Sequence, residues 1–447
     1  MKSTVEKILK QTLWTSTGRS SIVTFISMVA STGFAALYFI VLARMLGPYG
    51  NGLFSVALAV MMTITGVVDF GTNFGIVNFV PKAVSEGNQR KALAYLKLGL
   101  VSKLVLGLAA TFIIALTTSQ ISSVVLKRPE ITPILFISSF GIIAGLLYGY
   151  GLSVPQALQK FAIWGGLLTG AGFFRIITVL ILIIFGWLSA QTAMLAYLIM
   201  LLFPFFGSLP FLPKGILKAK IQPVDIRKFF SFNRWMALFT LTVSITANMD
   251  RFFLARFSGL SEVGLYMAAT QIAGVGLNVN AALATVLVPK FAAIRNRDAL
   301  IRFLKKSILL TSGLAIGGAL ITLFAGILME SLFGQQYIPA ISTLRILILS
   351  VACVLAFLPF TCVWLYYRGD SRSFALYYIL NGVILFLGNL ILVPRFGATG
   401  SAIASLIANA LTLFVGAGYT LMILRKTTVA PREKSEIIEP VITDSGR

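Results

Sequence analysis

The sequence predicts an all-α polytopic membrane protein of about twelve transmembrane helices, arranged as two parallel six-helix repeats. Three observations support this prediction: the apolar composition, the spacing of the apolar runs and an internal repeat. Residues of the types Ala, Val, Ile, Leu, Met, Phe, Trp, Tyr and Cys make up 57% of the 447 positions. Charged residues make up only 11%, against about 25% in soluble domains. Such a chain cannot cover itself with a polar surface.

Windows of about 20 apolar residues, the length that crosses a bilayer, define the individual spans. The first half contains 20–43, 52–80, 98–117, 131–153, 162–187 and 190–213. The second half contains 234–257, 263–288, 307–329, 340–366, 374–394 and 398–424.

The distribution of basic residues predicts the orientation of the spans. If both termini are cytoplasmic, the cytoplasmic segments hold 28 of the 37 Lys and Arg residues, the outer segments hold six and the spans three. This excess follows the positive-inside rule and predicts a multi-pass protein of the cytoplasmic membrane. The net charge of +23 is then explained by topology and attraction to anionic membrane lipids, and not by binding to nucleic acid.

The remaining segments are short. Residues 1–19 carry apolar side chains at helical spacing with lysines between them, which predicts a cytoplasmic interfacial segment and no removable signal peptide. Residues 214–233 are predicted to form a basic cytoplasmic linker between an N-terminal lobe (20–213) and a C-terminal lobe (234–424). Residues 425–447 are predicted to form a polar cytoplasmic tail.

Several classes of enzyme are excluded by residues that the chain lacks. It contains no histidine, and therefore no histidine-based triad and no histidine metal ligand. It also lacks a G-x-x-x-x-G-K-[ST] phosphate-binding loop. The two cysteines, Cys353 and Cys362, lie on one predicted helix about 13 Å apart, too far for a disulfide. We therefore expect neither an enzyme, nor a cofactor, nor a metal site.

An internal repeat relates the two halves of the chain. Residues 42–57 match residues 254–269 at an offset of 212, with seven identities in sixteen positions. The segment Val80-Pro81-Lys82 recurs as Val288-Pro289-Lys290 at an offset of 208. Because six spans separate the matched motifs, both halves enter the membrane in the same orientation. This arrangement predicts parallel repeats related by an axis along the membrane normal, with a binding site between them.

The same motifs resemble those of a known family. The stretch LARMLGPYGNGLF (42–54) followed by Asp69-Phe70-Gly71 is similar to the N-terminal signature of the polysaccharide, or O-antigen-type, flippases that move lipid-linked oligosaccharides. The stretches 248–257 and 262–269 resemble the seventh and eighth spans of that family, which belongs to the multidrug/oligosaccharidyl-lipid/polysaccharide exporter superfamily. The resemblance implies a V-shaped, two-lobed transporter. The related peptidoglycan-precursor flippases usually have two further helices, for which this chain has no room.

Charged residues within the spans are the candidate functional residues, because a charge in the bilayer is expensive. Arg175 lies near the middle of the predicted fifth span, where a central Arg costs at least about 2.5–3.5 kcal/mol. Its planar guanidinium suits a diphosphate or an acidic sugar, and the structural alternative is an ion pair or contacts with backbone carbonyls. We also name Arg251 and Lys103 as candidate substrate-binding residues, although each lies close enough to an interface to reach it.

Two acidic residues in the spans are candidates for ion coupling or for structural pairing. Asp69 is within reach of a pair with Lys103 or of a coupling H⁺ or Na⁺. Asp250 is adjacent to Arg251, and neighbouring residues on a helix point about 100° apart, so each needs another partner. Arg44 and Arg256 are equivalent in the repeat and are predicted at the outer rim, where they anchor the lobes or guide product exit.

Three functions remain compatible with the sequence. The first is a flippase that translocates polyprenyl-(di)phosphate-linked oligosaccharide across the cytoplasmic membrane by alternating access, with glycan polymerases or glycosyltransferases as further partners. The second is an ion-coupled multidrug exporter of the same superfamily, for which carboxylates and aromatic residues in the cavity are expected. The third is a scaffold for glycan synthesis that transports nothing.

Overall fold

The computed structural model describes residues 16–426, which form helices and short connections without a strand. The predicted interfacial segment, apart from its last four residues, lies outside the described part of the chain. The same holds for the predicted tail beyond residue 426. The first six spans are formed by α1 (Ser16–Val68), α2 (Thr72–Ser85), α3 (Gln89–Gln120), α4 (Thr132–Ala157), α5 (Phe161–Ile184), α6 (Ala190–Leu201) and α7 (Phe203–Ser208).

The last six spans follow the same pattern. They are formed by α8 (Pro223–Thr246), α9 (Met249–Phe257), α10 (Leu260–Ala293), α11 (Arg297–Leu320), α12 (Ala325–Phe333), α13 (Ile341–Cys362) and α14 (Ser371–Lys426).

Nine helical stretches of the described chain are long and apolar enough to cross a membrane. Two of them, in α1 and α14, each contain two spans, because Gly47 (φ 68°) and Gly397 (φ 55°) interrupt the helix. The interrupted pair α8 and α9 supplies the remaining predicted span, which carries Asp250 and Arg251. The described helices therefore coincide with the positions of the twelve predicted spans, of which the span formed by α8 and α9 is not among these nine stretches.

Two spans that the sequence predicts as continuous are broken. The second span breaks between α1 and α2, where Phe70 (φ 50°) and Gly71 (φ 69°) are both left-handed and cannot continue a right-handed helix. A methyl group on Gly71 would also lie 2.5 Å from Cβ of Met236, so a glycine lets α8 approach the break. The seventh span breaks between α8 and α9. Interrupted helices are typical of transporter binding sites.

Helix α8 begins within the segment predicted as a linker. Pro223 occupies its first turn, and Gln222 and Asp225 form a capping box, which together favour a helix start. Helix α8 packs mainly against α1, α2 and α3, whereas α9 packs mainly against α14, with smaller contacts to α10 and α1. The two parts of the seventh span therefore pack mainly with different halves of the molecule. The lobes at 20–213 and 234–424 remain predictions from the sequence.

The two repeats meet where the start of the second span crosses the start of the eighth. A methyl group on Gly52 would lie 1.8 Å from the carbonyl oxygen of Leu260, and one on Gly264 would lie 1.9 Å from that of Pro48. Gly52 and Gly264 are 212 residues apart, as are Pro48 and Leu260. The contact is therefore reciprocal, as a two-fold relation between parallel repeats requires.

Large apolar side chains also cover the outside of the helices. Ile184 is 78% exposed, Leu309 is 77% exposed and Phe414 is 73% exposed. Burial of such side chains in a lipid bilayer explains this surface, which water would disfavour. Against this apolar surface, the polar and charged side chains inside the spans are the candidate functional residues.

Candidate functional site

The break in the second span positions Asp69. Its Oδ1 accepts hydrogen bonds from Thr72 Oγ1 at 3.0 Å and from Asn73 Nδ2 at 3.2 Å. The same oxygen forms an ion pair with Nζ of Lys103, which reaches it from α3. Asp69 is 7% exposed and Lys103 is 1% exposed. The structure thus shows the pairing of Asp69 with Lys103, which the sequence left as one of two possibilities.

Next to Asp69 lies a cavity of about 650 Å³ between α1, α2, α4, α5, α6 and α8. This volume is in the range of pockets that bind small organic ligands. Its polar and charged lining consists of Thr65, Asp69, Asn73, Tyr148, Arg175, Tyr197, Thr240 and Ser244. The cavity therefore lies between the helices of the first six spans and the first part of the seventh.

Arg175 lies on the wall of this cavity, on α5. Its guanidinium carbon is 4.7 Å from the ring centre of Tyr197 and 5.7 Å from that of Tyr148. Cation–π contacts of this kind stabilise a desolvated cation without neutralising its charge. Among residues 16–426, no carboxylate lies within 4 Å of this guanidinium. Its Nε is buried and has no hydrogen-bond partner.

Neither Tyr148 nor Tyr197 is predicted from the sequence as a site residue. They lie on α4 and α6, and nothing in their own sequence neighbourhood points to Arg175. Close packing of α4 against the second span brings one wall of the cavity into place: a methyl group on Gly141 would lie 2.2 Å from the sulfur of Met61. Small residues at such positions let two helices approach closely.

Asp250 lies in a separate polar group in the second half of the chain. Its Oδ2 accepts a hydrogen bond from Tyr266 Oη at 2.6 Å, and its Oδ1 accepts one from Asn389 Nδ2 at 2.9 Å. Ser401 Oγ in turn donates to Asn389 Oδ1 at 2.8 Å. Within the described chain, no Lys or Arg is paired with Asp250. These oxygen atoms are the kind of ligand that suits a hard cation.

Arg251 has a partner of its own, as its position beside Asp250 requires. Its Nη1 donates to Asn248 Oδ1 at 2.8 Å, and Asn248 Nδ2 donates to the carbonyl of Ser244 at 2.9 Å. Asn248 lies at the break between α8 and α9, and Ser244 lines the cavity. Arg251 is therefore linked to the cavity wall through Asn248.

Arg44 and Arg256 lie together at the end of the molecule that also contains Gly47 and Gly259, called here the Gly47 end. Arg44 Nη1 donates to the carbonyl of Ser331 at 3.0 Å. Arg256 Nη1 donates to the carbonyl of Val124 at 3.1 Å and to that of Val125. Each arginine thus joins one half of the chain to the other. The sequence predicts that this end faces outward.

The fold resembles that of solved transporters. An inward-facing multidrug-resistance transporter of the MATE family aligns with a TM-score of 0.75 at 15% identity, over 89% of this chain and 96% of that chain. The lipid II flippase MurJ, in an inward closed conformation, aligns with a TM-score of 0.67 at 14% identity, over 91% of both chains. These similarities show that the chain shares its two-lobed helical fold with both transporters.

Similar sequences indicate the protein family to which the chain belongs. The lipopolysaccharide biosynthesis protein WzxC of Escherichia coli (strain K12) is 25% identical over 280 residues, which are 61% of this chain. The match spans about half of that relative, 53% of its length. A family profile described as "Polysaccharide biosynthesis protein" matches residues 17–295. That match covers more than half of the sequence, and the chain therefore belongs to this polysaccharide biosynthesis protein family.

Proposed function

We propose that this protein is a flippase that moves an oligosaccharide linked to a polyprenyl phosphate or diphosphate across the cytoplasmic membrane. Membership of a polysaccharide biosynthesis family supports a glycan substrate. The fold, shared with the MATE transporter and with MurJ, supports translocation by alternating access of two lobes. Such a protein moves its substrate without breaking a covalent bond.

The observation that carries this proposal is the position of Arg175 on the cavity wall without a carboxylate partner among residues 16–426. Its guanidinium faces the cavity, is held by two tyrosine rings and has no carboxylate partner in residues 16–426. A cation within a span is favoured where it can bind an anion or face a water-filled cavity. A phosphate matches the guanidinium geometrically, because two N–H groups can donate to two oxygens at once. We assign the lipid phosphate to this position.

The other two candidate cations receive different roles. The amino group of Lys103 is taken up by Asp69, so we propose that it neutralises that carboxylate and does not touch the substrate. Arg251 is tied to Asn248 beside the cavity wall. We propose that it contributes positive potential to the path of the headgroup.

The charge of the cavity disfavours the alternative of an exporter for cationic drugs. A drug cation is normally attracted by an unpaired carboxylate. Asp69 is the acidic residue of the lining, and Lys103 already neutralises it. With Arg175 added, the cavity and its immediate surroundings are positive, which repels a cation and attracts an anion.

We further propose that Asp250 is the residue that couples transport to an ion gradient. Its carboxylate is held by Tyr266 and Asn389 and is not paired with a described cationic side chain. It can therefore take up H⁺ or Na⁺ in exchange for one of these hydrogen bonds. Asp69 is already neutralised by Lys103 and is not available in the same way.

The proposed setting is the cytoplasmic membrane, with both termini and the basic segment 214–233 on the cytoplasmic side. Membrane lipids surround the spans. Glycan polymerases or glycosyltransferases on the outer face would then consume the translocated product.

A transport assay with the purified protein tests the proposed function. Proteoliposomes loaded with a polyprenyl-diphosphate-linked oligosaccharide are treated with an external glycosidase, and the fraction of cleaved substrate is followed in time. We expect cleavage beyond the half exposed at the start, and no extrusion of a cationic dye by the same vesicles. Dye extrusion without movement of the oligosaccharide would favour the exporter. Movement of neither substrate would favour the scaffold.

A further inference from the structure

Arg44 and Arg256 each donate hydrogen bonds to the end of a helix in the other half of the chain. Arg44, at the end of the first span, donates to the carbonyl of Ser331 near the end of α12. Arg256, at the end of the seventh span, donates to the carbonyls of Val124 and Val125 at the end of the third span. In each case an arginine of one half binds the last turn of a helix of the other half.

A second pair of bonds runs in the opposite direction. Arg128, just after the third span, donates through Nε to the carbonyl of Ala255 at 2.9 Å. Gln336, just after the ninth span, donates through Nε2 to the carbonyl of Arg44 at 2.8 Å. Tyr337 adds a bond from Oη to the carbonyl of Ala43 at 2.8 Å. At the Gly47 end, each half of the chain therefore donates hydrogen bonds to the other.

The two sets of bonds are related by the internal repeat. Arg44 and Arg256 are 212 residues apart. Arg128 and Gln336 are 208 residues apart, the same distance that separates the starts of α3 and α11 at Gln89 and Arg297. The bonds of the two halves thus lie at corresponding places of the repeat, with donors that match and acceptors shifted by one or two residues. An accidental surface contact would not reproduce this correspondence.

Physical chemistry explains why these bonds hold and why they can open. The last carbonyls of a helix have no partner within the helix and carry partial negative charge, so they favour a guanidinium. Arg44 and its acceptor residue Ser331 are both exposed, so water can replace the bond when the halves separate. By contrast, Gly52 and Leu260 are buried where the two repeats cross, so water does not have the same access to this contact.

We propose that Arg44, Arg128, Arg256 and Gln336 form a latch that holds the two halves together at the Gly47 end. The latch must open before this end gives access to the cavity. It thereby sets the balance between the two access states of the transport cycle. This inference rests on the alternating access of the proposed function and not on the identity of its substrate, because only a protein that alternates between two openings needs a reversible closure.

Chemical labelling of a cysteine in the cavity tests the latch without a transport assay. The reporter is Met62→Cys, a cavity-lining position, in a chain whose Cys353 and Cys362 are replaced by alanine. A membrane-impermeant maleimide is added from the side on which Lys127→Cys reacts, which defines the Gly47 end whatever its orientation. We compare the intact latch with the double variant Arg44→Gln/Arg256→Gln. The labelling rate should rise about tenfold, because loss of these bonds shifts the population toward the state in which the cavity is open at the Gly47 end.

Arg345→Gln is the matched control. Arg345 Nε donates to the carbonyl of Thr322 at 3.3 Å, a bond of the same chemistry at the same end but within one half of the chain. This variant should label at the parent rate. Unchanged labelling of a double variant that keeps its thermal unfolding temperature would overturn the proposal. An equal increase in Arg345→Gln would also overturn it, since the effect would then be general loosening. Increased labelling in a protein that moves no oligosaccharide would uphold the latch and reject the flippase.

Discussion

Lys103 donates a hydrogen bond to Asp69, whose carboxylate lines the same cavity as Arg175. Lys103 is 1% exposed, so its charge is almost fully removed from solvent. Thr72 and Asn73 donate to the same carboxylate oxygen and keep it in place beside the break in the second span. The pair therefore fixes the local structure and also removes a negative charge from the site.

Replacement of Lys103 by methionine should destabilise the protein strongly. The variant leaves the carboxylate of Asp69 buried without a cation, which costs about 3–5 kcal/mol of unfolding free energy. The double variant Lys103→Met/Asp69→Asn should recover most of that loss, because it removes both charges and keeps a similar shape. Thermal unfolding of the parent, Lys103→Met, Asp69→Asn and the double variant in detergent measures the coupling. Strictly additive losses would contradict a direct pair.

Alanine at Gly52 or Gly264 should prevent the two repeats from crossing as they do. The added methyl group would lie 1.8 Å from the carbonyl of Leu260 or 1.9 Å from that of Pro48, so backbone must move. We expect a loss of about 1–3 kcal/mol in unfolding free energy for each. Gly317→Ala is the control, since nothing lies within 4 Å of its added methyl group. The control should be neutral or stabilising, as alanine favours a helix. Equal effects at all three positions would argue against this crossing.

Asp250→Asn should remove the dependence of transport on an ion gradient while the protein stays folded. The amide is neutral at every pH and cannot bind a proton or attract Na⁺ as a carboxylate does. Initial rates in proteoliposomes with imposed pH or Na⁺ gradients measure the effect. Thr270→Ala, on the same helix as Tyr266 but bonded only locally to Met267, serves as a control that should respond like the parent. If the transport rate of Asp250→Asn still depends on the imposed gradient, another group must couple transport to the ion.

Single cysteines test the orientation of the spans. In the cysteine-free background, cysteines at Lys218 and Arg297 should react only with reagents that reach the cytoplasm. A cysteine at Lys127 should react from outside. All three native residues are exposed, so a lack of reaction reflects the side of the membrane and not burial. Labelling of position 218 from outside would overturn the predicted topology.

Composition and periodicity were sufficient to predict the membrane class and the positions of most spans, because lipid requires long apolar helices whatever their packing. The breaks were not predictable in the same way. Phe70 takes a left-handed φ of 50°, which its residue type does not favour and its sequence neighbourhood does not indicate. The break at Asn248 likewise separates α8, which packs mainly with the first half of the molecule, from α9, which packs mainly with the second.

The site was predictable only in part for the same reason. A charge in an apolar span is visible in the sequence, so Arg175, Asp69 and Asp250 could be named. Their partners depend on how separate helices are rotated against one another, which no local pattern encodes. The latch shows this limit clearly: Arg44 and Arg256 match in the repeat, whereas Arg128 and Gln336 differ in residue type and share only their position.

The role of Arg175 is tested most directly by two substitutions measured for both transport and stability. Arg175→Ala should reduce translocation of the lipid-linked oligosaccharide at least about tenfold, because a charged hydrogen bond to phosphate is lost. Arg175→Lys should recover only part of the rate, since it keeps the charge but not the paired N–H groups. The cation–π contacts are the main interactions seen at the guanidinium, so the unfolding temperature should change little.

This comparison in one preparation is the decisive measurement. The proposal predicts slow transport by a stably folded Arg175→Ala protein, with an intermediate rate for Arg175→Lys. Full transport by a stable Arg175→Ala protein would contradict the assignment of the phosphate site. A large loss of stability would instead make Arg175 a structural residue.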